Sequence, residues 1–236
     1  MFSNDIKPDV SIIIQARLGS TRFPEKVLAK LTNGESVLGY LVKRLSTCRM
    51  ANKVIVATTT SPKDDKLEEW LKQREIYYFR GSEENCIDRF YQTCRQFKVN
   101  IIVRITSDCP LVIPEVVDEM IRYYSDNQDH LDYLSNRQKT NFPEGVDVEI
   151  FSFKILADAH RNTTDQEERE HINYYFLNRS LDYRIDYFNH DSEGNYSNYK
   201  LSIDKPDELN QIRELFEERE LPFNFSMKQL FTALDK

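Results

Sequence analysis

The densest run of chemistry-bearing residues is Gln15-Ala16-Arg17-Leu18-Gly19-Ser20-Thr21-Arg22-Phe23-Pro24-Glu25-Lys26, with three cations within ten residues around a Gly-Ser-Thr turn. Gly19 lets backbone approach an anion closely. Backbone N–H groups, the Ser20 and Thr21 hydroxyls, and Arg17, Arg22 and Lys26 can together surround a polyphosphate. A Walker loop is excluded, because the second glycine of GxxxxGK would fall on Pro24. The bland alternative is a solvated basic turn. The position of the run, after a buried-type strand in an acidic chain, favours an anion site.

Two carboxylates stand at comparable places. Asp108 lies in Thr106-Ser107-Asp108-Cys109-Pro110-Leu111, and Asp204 precedes Lys205-Pro206. Each alone reads as a turn or helix-cap aspartate. Beside a cationic loop they acquire a second meaning. Cations hold phosphates, and Mg²⁺ is bound by one or two carboxylates together with substrate phosphates. This requires the segment before Asp204 to lie in the same sheet as the others.

The elements that must position these groups alternate. Ser11–Ile14, Val54–Ala57, Ile76–Phe79 and Ile101–Ile105 read as buried strands. Helical spacing appears over Val37–Leu45, from Ser61-Pro62 onward with Asp64 reaching back to the cap, over Cys86–Phe97, and from Pro114 through Tyr124. Such alternation predicts a mainly parallel sheet with helices on both faces. Ligands of open α/β sheets bind beyond the carboxyl ends of the strands, where the loop and Asp108 fall. The second half is less regular. Val146–Phe151, Arg184–Phe188 and Tyr199–Ile203 read as strands, the last two around a polar loop, His190 to Asn198. Gln166–Asn178, Pro206–Arg219 and Ser226–Leu234 read as helices, the last a docking helix over residues 226–235. Residues 1–10 read as a flexible N-terminus, and 1–236 as one domain.

The chain has 236 residues and a net charge of −7, with 40% apolar and 30% charged residues. That excludes a wholly disordered chain and disfavours broad nucleic-acid binding, which needs excess cations. No apolar run has the roughly 18 residues of a membrane helix, and no secretion signal is visible, so the expectation is a cytoplasmic protein. Cys48, Cys86, Cys94 and Cys109 show no CxxC pair and read as reduced, packed thiols; no HExxH occurs.

Whole strings carry a resemblance. IIIQARLGSTRFPEKVL resembles the first motif of cytidylyltransferases, VRITSDCPLVIPEVVDE their second and LSIDKPDELNQIR their third. FPEGVDVEIFS and EREHINYYF resemble the spore-coat polysaccharide branch, which is similar to acylneuraminate and 3-deoxy-manno-octulosonate cytidylyltransferases. The resemblance spans about residues 11 to 215. It implies a three-layer α/β/α sandwich of the nucleotide-diphospho-sugar transferase type, usually dimeric. It implies transfer of CMP from CTP to a keto-sugar acid with Mg²⁺ and release of pyrophosphate. Its phosphate positions fall on Arg17, Ser20, Arg22 and Lys26, within a nucleotide-binding run that includes Ala16, Leu18, Gly19 and Thr21. Its metal carboxylates fall on Asp108 and Asp204. Gly81–Asn85 with Asp88 corresponds to a region near the nucleotide, giving Ser82 and Asp88 as further candidates. Arg22, Lys26 and Asp108 are then the catalytic candidates.

The chain departs from the pattern in places. Glu25 stands where the family usually has glycine, and an acid there can weaken triphosphate binding. Lys205 replaces a commoner threonine or tyrosine. Ser202 stands where some relatives carry a second aspartate. Candidate sugar contacts are Asp147 and Glu149, alternating on one strand face, together with Glu170, His171 and Arg104. Arg169, Glu170 and His171 are adjacent, so a continuous helix cannot put them on one face. Arg104 lies inside an apolar strand, where it can pair with a buried carboxylate or hold the sugar acid. The rival readings are a glycosyltransferase, for which Asp147-Val148-Glu149 is the nearest approach to a DxD motif, and a nucleotide-binding regulator without chemistry.

Overall fold

Successive isoleucines of β1 (Val10–Gln15) point to opposite sides of the sheet: Ile12 and Ile14 join one apolar core, Ile13 another. That alternation makes three layers, since each sheet face needs its own cover of helices. The structure is a computed structural model and describes residues 9–190 and 194–235. Most of the expected flexible N-terminus and part of the His190–Asn198 loop lie outside these residues.

β1 pairs in parallel with β4 (Lys53–Thr59) on one side and with β6 (Ile101–Thr106) on the other; β5 (Tyr77–Gly81) extends the sheet beyond β4. The full order is β5-β4-β1-β6-β8-β7-β9, with β7 at Tyr133–Ser135, β8 at Glu149–Ser152 and β9 at Ile185–Tyr187. β8 runs antiparallel to both neighbours, and β9 is parallel to β7. The predicted mainly parallel mixed sheet is therefore present. A small hairpin, β2 (Lys30–Thr32) and β3 (Glu35–Ser36), stands apart from it.

One face is covered by α1 (Val37–Leu45), α2 (Asp65–Gln73), α4 (Pro114–Asp126), α8 (Pro206–Glu217) and α9 (Met227–Leu234), which bury such residues as Leu41, Leu67, Val117, Ile212 and Leu230. The other is covered by α3 (Cys86–Phe97), α5 (Phe153–Asn162) and α7 (Ile172–Leu177) through Phe90, Leu156 and Phe176. Ser36, Asn85, Ser152 and Ser226 cap four of these helices by accepting a backbone N–H from the first turn. The four cysteines are unbonded, three of them buried. No helix among the described residues is long and apolar enough to cross a membrane.

Three expectations change. Tyr199–Ile203 is not a sheet strand. It makes one bridge, Glu144 with Lys200, because its amides go to loops: Leu201 N–H to the Glu144 carbonyl at 2.7 Å and Ile203 N–H to the Asp108 carbonyl at 2.8 Å. The helix expected over Gln166–Asn178 breaks at His171 (φ −116, ψ 88) into α6 (Gln166–Glu170) and α7. Finally, β2, β3, β7 and α5 add to the elements read from the sequence; α5 follows β8 without a loop, its cap Ser152 being also the last strand residue.

Candidate active site

The chain runs outward from β1 through β4 to β5, then crosses to β6 on the other side of β1. The carboxyl ends of β1 and β6 therefore open a crevice, the usual ligand position in such sheets. A cleft of about 400 Å³ lies there, lined by the β1 loop, the turn after β6, the Glu144–Asp147 segment, the α6–α7 break and Asp204.

In the β1 loop the structure separates the predicted positions. Arg17, Gly19, Ser20, Thr21, Arg22 and Lys26 line the cleft. Ala16 and Leu18 do not: both side chains are in the core, and the Ala16 N–H goes to the Ala57 carbonyl. Leu18 donates its N–H to Asp64 Oδ1 at 2.6 Å, and its carbonyl accepts from Ser20 N–H (2.9 Å) and Glu25 N–H (3.1 Å). Glu25 adopts the left-handed conformation (φ 56), which explains a preference for glycine at this position. Its carboxylate is paired with Lys66 at 2.5 Å and does not line the cleft, so the expected acid beside the triphosphate is directed elsewhere.

Lys26 is buried, and its ammonium lies 2.6 Å from the Ile203 carbonyl, 3.1 Å from Asp108 Oδ2 and 3.4 Å from Asp204 Oδ1. Arg22 reaches Asp204 at 2.8 Å from the solvent side. Asp108 and Asp204 thus converge on one cation although they are far apart in sequence. Neither is a helix cap. α4 starts only at Pro114, and Lys205, not Asp204, occupies the N-cap position of α8. Glu208 accepts the backbone N–H of both Asp204 and Lys205, leaving the Asp204 carboxylate to Arg22, Lys26 and Lys200. Burial pushes the Asp108 carboxyl up, but the Lys26 ammonium and the Thr106 hydroxyl outweigh it and hold it below the ordinary value. Among the described residues no group of three or more His, Cys, Asp or Glu converges on a metal position. A cation here would be held by two carboxylates, with other ligands supplied from outside the chain.

At the cleft floor Arg104 donates to Glu149 at 2.5 Å and to Gln15 at 3.0 Å. Both charges are nearly inaccessible, at 5% and 4% side-chain exposure. Burial lowers the Arg104 pKa but Glu149 reverses this, and the guanidinium stays charged. Glu149 does not line the cleft and is committed to Arg104, so Asp147-Val148-Glu149 does not offer two free carboxylates. Asp147 does line it, 3.5 Å from Arg137; burial lifts its carboxyl to about 6 despite that arginine.

The break at His171 lets Glu170 and His171 both line the cleft, while Glu168 turns into the protein and binds Arg179, Asn178 and Thr163. Glu170 meets Arg17 at 3.3 Å. Ser82 and Asp88 are not brought to the cleft. Ser82 accepts the Asn85 N–H in the turn before α3, and Asp88 pairs with His160 of α5 at 3.0 Å.

A sequence profile of the cytidylyltransferase family matches residues 11–231. The chain belongs to that family. It is accordingly an enzyme, a nucleotidyltransferase. The spore coat polysaccharide biosynthesis protein SpsF of Bacillus subtilis is 31% identical over 97% of this chain and 95% of its own length. A cytidylyltransferase structure from Leptospira borgpetersenii is 31% identical with a TM-score of 0.89, covering 97% of this chain and 94% of that one. The fold alone is shared with a CMP:2-keto-3-deoxy-manno-octonic acid synthetase solved with CTP, at 16% identity and a TM-score of 0.70, over 89% and 99% of the chains.

Sequence reasoning missed several groups in or beside the cleft, four of which bear on its charge and shape. Arg137 lines the cleft from a stretch without periodicity, and Lys200 sits on the segment misread as a strand. Glu144 lines it too and accepts the Ser202 hydroxyl at 2.7 Å, placing a carboxylate beside the position that lacks its own. The approach of these two segments needs Gly145 (φ +100), where a Cβ would collide with the backbone of Leu201 and Ser202. The fourth is Asp64, expected as a local cap. Glu144 and Asp64 act through long-range contacts, to Ser202 and Leu18; Arg137 and Lys200 lie close in sequence to their partners Asp147 and Asp204, but no regular pattern pairs them.

Proposed function

We propose that the protein transfers CMP from CTP to a hydroxyl of a sugar acid, with Mg²⁺, and releases pyrophosphate. The observation that carries this reading is the convergence of Asp108 and Asp204 on the Lys26 ammonium beside the Arg22 loop. Two carboxylates already arranged around one cation fit Mg²⁺ completed by phosphate oxygens and water. When bound, the metal would supply charge to the α-phosphate and polarise it. The remaining chemistry belongs to the chain. Arg22, Lys26 and the loop hold the triphosphate and neutralise the departing pyrophosphate. The acceptor oxygen forms a bond to the α-phosphorus as the bond to the pyrophosphate oxygen breaks. Asp147, titrating near 6, is suited to take the proton from the attacking hydroxyl. Among the described residues no nucleophile–base pair calls for a covalent intermediate. Arg137, Glu170 and His171 complete the acceptor side. The sugar-acid class rests on the resemblance of the sequence motifs, and SpsF, by name a polysaccharide biosynthesis protein, supports a role in making a polysaccharide; a homodimer is part of the same proposal.

The test is pyrophosphate release on mixing CTP, Mg²⁺ and a panel of sugar acids, with ATP, GTP and UTP in parallel. Release with CTP and one sugar acid is expected. CTP-independent transfer from a nucleotide-sugar, or no release with any acid, would overturn the reading.

A further inference from the structure

Asp64 is 1% exposed, its carboxylate enclosed at the carboxyl end of β4. It does not cap its own helix start; no cap bond from Ser61 or Asp64 side chains is made. One oxygen accepts the Leu18 N–H at 2.6 Å, across 46 residues of sequence, and the other is hydrogen-bonded by the Thr59 hydroxyl. A buried carboxylate is costly unless its partners are fixed, so this geometry is specified.

The bond reaches the β1 loop at a decisive point. It turns the Leu18 amide inward, and the Leu18 carbonyl then holds the amides of Ser20 and Glu25. Leu18 packs in the core, while its neighbours Arg17 and Gly19 line the cleft. The first turn of α2, directly after Asp64, meets the loop a second time through the exposed Lys66–Glu25 pair. It is itself braced from β5, where Arg80 donates to the carbonyls of Thr59 (2.8 Å) and Ser61 (2.9 Å) and to Asp65 (2.7 Å). A continuous brace thus runs from β5 through the β4–α2 turn to the loop.

We infer that Asp64 is a positioning residue for the phosphate loop: by fixing the Leu18 amide it sets which loop groups face the triphosphate. This rests on the reading of the loop as the triphosphate site. The role belongs to acceptor geometry rather than charge, since Asn presents the same oxygen to Leu18 N–H.

The test compares D64N, D64A and R22A by calorimetric binding of CTP with Mg²⁺ and by hydrogen exchange at the Leu18 amide. D64A is expected to bind CTP at least tenfold more weakly, with fast Leu18 exchange; D64N is expected within about threefold of the parent, with slow exchange. If D64A does not fold, D64E replaces it: it keeps the acid, moves the oxygen by one methylene, and is expected to lose the same affinity. Affinity unchanged in D64A or D64E while R22A loses it would overturn the inference, as would D64N losing as much as D64A. If R22A also binds CTP like the parent, the triphosphate reading fails, and Leu18 exchange still decides whether Asp64 fixes the loop.

Discussion

Lys26 Nζ lies 3.1 Å from Asp108 Oδ2, joining the loop after β1 to the turn after β6 across the crevice. The same ammonium reaches Asp204 at 3.4 Å. A surface loop change usually costs less than about 0.5 kcal/mol, but Lys26 is not a surface residue. Lys26→Ala leaves two acids facing each other and should lower stability by ~1–3 kcal/mol, discounted for the partial exposure of Asp108. Mg²⁺ should raise the melting temperature of this variant more than that of the parent. Equal Mg²⁺ shifts would argue against a cation site between the two acids. The depressed Asp108 pKa contributes stability above the ordinary carboxylate value of 3.8 that is lost as pH falls through the folded value.

Asp108→Asn and Asp204→Asn should each remove most turnover while the protein stays folded. Asn keeps the shape and removes the charge that would hold Mg²⁺. A capping role, in which Asn substitutes well, does not protect these variants, because Lys205 occupies the cap of α8 and α4 begins six residues after Asp108. Pyrophosphate release and Mg²⁺ titration of CTP binding read the effect. Full activity in both would end the two-carboxylate model.

Glu25→Gly should be neutral or stabilising by up to ~1 kcal/mol, since the residue sits at φ 56, where a Cβ costs roughly 1–2 kcal/mol. The gain is reduced by the greater freedom of unfolded glycine and by loss of the exposed Lys66 pair. CTP affinity should change little, because the carboxylate points to Lys66. Thermal unfolding and calorimetry check both; a large rise in CTP affinity would mean that Glu25 does act on the triphosphate.

What the sequence made legible was whatever short-range pattern encodes. The run Ser11–Ile14 showed a strand buried on both faces, and alternation with helices placed Arg22, Lys26 and Asp108 at one sheet edge. What it hid depends on non-local partners. Asp64 resembles a helix-start aspartate until the Leu18 amide is seen against it. Asp147 and Glu149 look equivalent by alternation, yet burial of Arg104 takes Glu149 and leaves Asp147 to the cleft. Tyr199–Ile203 has the apolar alternation of a strand, but its amides are claimed by Glu144 and Asp108. Asp204 reached the site without the sheet pairing that was expected to bring it there.

Glu149→Ala should destabilise the fold by about 3–5 kcal/mol, because it strands a buried guanidinium. Replacing both partners, Arg104→Met with Glu149→Leu, should cost much less. Denaturant unfolding distinguishes the two. A double variant as unstable as Glu149→Ala would show that the packing of the pair, rather than its charge, holds the cleft floor.

Asp147 gives the clearest pH signature. Its carboxyl rises from the ordinary 3.8 to about 6, burial being the main cause and Arg137 opposing it. A raised carboxyl pKa works against the fold once the group ionises. Between pH 4 and 6 the folded state holds a proton that the unfolded state has released, so stability falls as pH rises through this window. The full effect at pH 7 is up to ~3 kcal/mol, at 1.36 kcal/mol per pKa unit, for a side chain that is 15% exposed. Asp147→Asn should therefore raise stability at pH 7 and flatten the pH dependence of unfolding between 4 and 6. If Asp147 also takes the proton of the attacking hydroxyl, the same variant loses turnover, and the acid limb of the pH–rate profile near 6 disappears with it. A more stable variant with full activity and an unchanged profile would leave Asp147 as a strained cleft residue with no part in the chemistry.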